Sequence, residues 1–97
     1  MNTSKATETV IRLERREDGN NEYTYELLLR EDTKTASFKM PLYSIRINMT
    51  TSDGVSTSAS VKDIFADVRK AGEFYDKLVR YLATPIDLRY IVEDELG

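Results

Sequence analysis

A chain with no histidine, no cysteine and no tryptophan lacks several chemistries at once. Without histidine, no side chain has an ordinary pKa close to neutrality. Without cysteine there is no thiolate nucleophile and no disulfide, and the loss of both residue types removes the softer zinc ligands. The four glycines form no phosphate-cradling loop. No apolar run approaches the roughly 20 residues that cross a bilayer, and residues 1–7 lack the apolar core of a secretory signal. A cytoplasmic protein without a membrane partner is the expectation. The missing cysteine fits either redox compartment and does not bear on location.

The 97 residues fit one domain, 1–97, with a modest core. Apolar residues make up 40% and charged residues 32%, a balance that folds rather than staying disordered. Fourteen Lys and Arg against seventeen Asp and Glu give a net charge of −3. Phosphate neutralisation favours a basic excess, so nucleic acid is not an expected partner.

Strand periodicity organises the first two thirds. Residues 7–17 alternate, with Ile11 and Leu13 on one face and Arg12 and Glu14 on the other. Asp18, Gly19, Asn20 and Asn21 make a turn, and a second strand over 22–31 places Tyr23, Tyr25, Leu27 and Leu29 on one side. Residues 32–40 read as a loop or an extra edge strand, and 1–6 as a flexible lead. A second hairpin has strands over 42–51 and 54–62. Tyr43, Ile45, Ile47 and Met49 alternate with polar residues, and Asp53-Gly54 suits a primed turn.

The period lengthens after Lys62. Phe65, Val68, Ala71, Phe74, Tyr75, Leu78 and Leu82 form one helical stripe over 65–83, with Asp63 or Asp67 as the cap. Gly72 inside that stripe suggests a close approach to the sheet. Thr84 as cap, Pro85 at the first helical position and Asp87 in the first turn open a second helix over 85–96. The expected fold is α+β: a four-stranded antiparallel sheet of two hairpins, covered on one face by two carboxy-terminal helices.

Val61-Lys62-Asp63-Ile64, the helix to Leu82 and residues 87–96 resemble a family of small bacterial proteins of unknown function, and Tyr43-Ser44-Ile45-Arg46-Ile47 extends the likeness. The resemblance implies no activity, cofactor or catalytic residue.

No site for chemistry emerges from the residues themselves. Glu93, Asp94 and Glu95 project about 100° apart on a helix and do not converge on a metal with Asp87. Serines 44, 56, 58 and 60 have no lysine at Ser-x-x-Lys spacing. The reading is therefore non-enzymatic, with no cofactor and no metal. On the wet face, with Arg12, Arg30 and Arg46, Val10 and Leu28 interrupt polar rows and start an apolar patch. The expected function is a protein-interaction or regulatory module whose partner is another protein or a second copy, as a homodimer. On this reading Leu28→Glu weakens association while the fold survives. An open edge at 55–61 offers a second docking place. The alternative is a small-ligand or nucleotide sensor with a pocket around Tyr25, Tyr43 and Tyr75.

Overall fold

The structure, a computed structural model, describes residues 7–31 and 41–96. The expectations for 1–6 and 32–40 lie outside these residues. Four strands, β1 (Thr7–Asp18), β2 (Asn21–Glu31), β3 (Pro41–Thr50) and β4 (Ser56–Phe65), form one antiparallel sheet in the order β1-β2-β3-β4. Two helices follow, α1 (Val68–Arg80) and α2 (Pro85–Leu96), and both pack on one face.

The core lies where the alternating apolar rows of β2 and β3 meet the helices. Tyr25, Leu27, Ile45 and Ile47 are buried against Ala71, Phe74, Tyr75 and Leu78 of α1 and Leu88 of α2. Two buried phenols are hydrogen-bonded, as buried polar groups must be to avoid a desolvation cost. The Tyr25 hydroxyl donates to the Ala83 carbonyl at 2.8 Å, and the Tyr75 hydroxyl donates to the Tyr25 backbone carbonyl at 2.8 Å. The first bond ties the link between α1 and α2 to the sheet.

The turns differ in kind. Gly19 opens a two-residue turn between Asp18 and Asn21 with a φ of +62°, the type II′ pattern. The second hairpin does not use a primed turn. Gly54 donates to the Thr51 carbonyl, Thr51 donates to the Val55 carbonyl, and only Gly54 of the loop has a positive φ. That is a three-residue loop ending in a left-handed glycine.

β4 starts at Ser56 rather than 54, because Gly54 and Val55 close the loop, and three further boundaries depart by three residues from the pattern reading. β4 runs to Phe65 instead of stopping at 62, because a bulge absorbs residues 62–64 opposite Ser44. Asp63 sits in that bulge with a φ of 57°, and its N–H donates to the buried Ser44 hydroxyl at 2.9 Å. The cap of α1 is Asp67, whose carboxylate accepts from the Arg69 N–H at 2.8 Å, so the helix starts at Val68 rather than 65. α1 ends at Arg80, short of 83, in a Schellman turn: Ala83 N–H donates to Leu78, Leu82 N–H to Val79, and Leu82 takes a φ of 53°. The opening of α2 matches its reading, since Thr84 and Asp87 exchange hydrogen bonds in a capping box.

The first strand reverses the expected facing. A bulge at Ile11 shifts the register between Val10 and Arg12, so Arg12 and Glu14 share a face with Leu27 and Tyr25. Arg12 and Glu14 are thus on the helix side and not on the open face. The helices pack mainly over β2, β3 and β4, and β1 lies at the margin of their cover. Its helix-side row is therefore polar at the rim of the core, and Val10, Ile11 and Leu13 face away, each substantially exposed. Arg12 closes the rim. Its guanidinium lies 4.6 Å from the Tyr75 ring centre and bonds Asp76 at 2.8 Å and Glu14 at 3.2 Å. Gly72 lies beneath Arg12 rather than against the sheet: a methyl there would meet only the Arg12 Nη1, at 4.0 Å.

Candidate interaction surface

The five residues singled out for interaction do not come together as one patch. Val10 and Leu28 are direct cross-strand partners on the open face, and Arg30 and Arg46 share that face. Arg12 lies on the opposite one. Leu28 is not an exposed apolar lapse, because it is only 4% accessible. Along β2 it sits between Glu26, paired with Arg46 of β3, and Arg30, paired with Asp63 of β4. These ion pairs flank Leu28 and the buried Ser44 opposite it. All three arginines are committed to carboxylates within the chain.

The tyrosines proposed for a ligand pocket are packed as core. Tyr25 and Tyr75 are fully buried and Tyr43 nearly so. Burial pushes both the Tyr25 and Tyr75 phenols up to about 12, with Tyr23 and Glu14 respectively adding to the effect. Both phenols are neutral hydrogen-bond donors at ordinary pH. Among the described residues, no three acidic side chains converge as a metal site, and no helix is long and apolar enough to cross a membrane.

A more coherent surface lies at the other end of the sheet. Among the described residues, β4 has β3 on one side and no strand paired on the other. Over residues 56–61 this edge carries serine, threonine, alanine and valine, with no charge, no proline and no bulge. Those are the devices by which edge strands usually avoid pairing. Ser56, Ser58 and Ser60 are exposed on the open face, while Thr57, Ala59 and Val61 turn toward the helices.

Beside that edge lies α2. Its inward residues Pro85 and Leu88 are buried, yet Ile86 and Tyr90, one turn apart on the outward side, are 70% and 68% exposed. A helix apolar on two sides is suited to burial on two sides. Between β4 and α2 runs an open groove of about 340 Å³ lined by Ala59, Val61, Ile86, Arg89 and Tyr90 among others. Sequence reading named the edge but not the helix. The available signal was the four-residue spacing of Ile86 and Tyr90, opposite the Leu88, Ile91, Val92 stripe.

The model of a family of unknown function (DUF6514) matches residues 4–97, nearly the whole chain rather than mainly its carboxy-terminal part. No curated protein and no solved structure matches.

Proposed function

We propose, for a chain that belongs to the DUF6514 family, a non-catalytic role in the cytoplasm as a protein-interaction module that docks its partner along β4. The observation that carries this reading is the bare edge at residues 56–61 lying next to the exposed Ile86 and Tyr90. An incoming strand would satisfy the backbone groups of β4 that no described strand pairs, and the two α2 side chains would supply apolar grip. The uncharged edge imposes no sign on the partner's backbone, so selectivity rests with Ile86, Arg89 and Tyr90.

Site-directed photo-crosslinking tests the reading. A photoreactive aromatic residue replaces Tyr90 or, as a control, Asn20 in the distant β1–β2 turn, and producing cells are irradiated. Covalent adducts with protein from position 90 and not from position 20 are expected. No adduct at 90, or equal adducts at both, would contradict it.

A further inference from the structure

We infer that the occupant of this surface is a second copy of the chain, with β4 pairing antiparallel to β4 about a two-fold axis at Ala59. The inference rests on the interaction reading above and names its partner.

Geometry restricts the pairing to few registers. The regular edge is bounded by the 51–55 turn at one end and the 62–64 bulge at the other. Opposed residues in a continuous sheet must point to the same face. Keeping the helices of both copies on one side therefore requires odd residues opposite odd and even opposite even. An axis at Ala59 pairs residues 57–61 of the two copies and stops at the bulge: Thr57 faces Val61 of the second copy, and Ser58 faces its Ser60. The side chains at the junction are small and neutral, so no like charges meet there.

The flanking charges are self-complementary. In this register Lys62 falls opposite Ser56 of the other copy, beside the turn that carries Asp53. Both side chains are exposed, and neither has an ion-pair partner among the described residues. The symmetry makes this contact twice.

The helices follow the same axis. α2 starts beside residues 59–61 and ends near Phe65, so it runs along β4. The two-fold sets the amino-terminal halves of the two α2 helices antiparallel on one side of an eight-stranded sheet, where Ile86 and Tyr90 gain cover. A specific interface needs about 1,000 Å² of total buried area, so the α2 contact beside the short strand junction is part of the proposal.

The test combines mass with register. Purified wild-type chain is measured by sedimentation equilibrium across micromolar concentrations. Ser58→Cys and Ser60→Cys variants are then oxidised singly and as an equal mixture. The chain has no cysteine of its own, so every disulfide dimer reports the introduced pair. Directly opposed residues lie about 5 Å apart between Cβ atoms and diagonal ones about 7–8 Å. The expected result is a concentration-dependent dimer and a mixture that cross-links severalfold more than either variant alone. A wild type that stays monomeric, or a mixture that cross-links no better than the single variants, overturns the inference. If other proteins still form adducts at position 90, the interaction module stands and only self-pairing falls; with no adduct there, both fall.

Discussion

The bond from the Tyr25 hydroxyl to Ala83 gives a test of how α2 is held beside the edge. Tyr25→Phe and Tyr75→Phe each remove one buried hydroxyl, but the groups left behind differ. Ala83 is buried, and the Tyr25 hydroxyl is the hydrogen bond its carbonyl receives among the described residues. Removing it strands a buried acceptor, which costs about 1–3 kcal/mol. The Tyr25 carbonyl, by contrast, belongs to a strand paired on both sides, so it keeps a ladder bond when Tyr75 loses its hydroxyl. That loss is nearer to the net value of an ordinary hydrogen bond, about 0.5–1.5 kcal/mol. Urea unfolding followed by far-UV circular dichroism measures both, with an unchanged m-value as the check that the unfolding reaction is the same. Tyr25→Phe should lower the melting temperature by about 4–8 °C per kcal/mol lost. It should also weaken association at β4 by freeing α2, whereas Tyr75→Phe should leave association unchanged. A Tyr75→Phe cost equal to or above that of Tyr25→Phe would refute the reasoning.

Gly72→Ala should stabilise the chain by about 0.5–1 kcal/mol in the same assay, because the helix interior gains an alanine and the new methyl meets only Arg12 Nη1 at 4.0 Å. Leu28→Glu should cost about 3 kcal/mol or more instead of leaving the fold intact, since it puts a carboxylate at a buried position beside Glu26; an unshifted urea midpoint would contradict the burial. Alkaline pH should unfold the protein through its tyrosines. Their folded pKa of about 12 lies above the ordinary value of 10.0, so their contribution is complete below pH 10 and is lost as pH rises toward 12. A pH titration of the urea midpoint measures this, and replacing both tyrosines with phenylalanine should flatten the loss in that window.

The parts of the fold that were legible in the sequence are those where one physical rule acts alone. The Tyr23 to Leu29 and Tyr43 to Met49 rows alternate beneath the helices, buried except at Leu29 and Met49, so period and face agree. Thr84, Pro85 and Asp87 open α2 through purely local chemistry. β1 was misread because alternation gives two rows without saying which faces the helices. The bulge at Ile11 breaks the row, and the strand lies at the margin of the helical cover. Phe65 suits a helix stripe and a strand end equally well, and the bulge at Asp63 that assigns it to β4 has no glycine to announce it. Leu82 hides the end of α1 for the same reason, occupying the left-handed position usually taken by glycine. At the candidate surface the bare edge could be read from composition. For its neighbour the four-residue spacing of Ile86 and Tyr90 shows a second apolar side of α2, but its position beside β4 follows from where the helix lands.

Amide hydrogen exchange over residues 56–61, measured at several protein concentrations, tests the central claim most directly. If β4 is the docking edge and the chain its own partner, its outward amides exchange quickly in dilute solution and slow severalfold as concentration rises, while the β1 edge is unaffected. Exchange along β4 that does not depend on concentration, or protection that appears on β1 instead, would contradict the account.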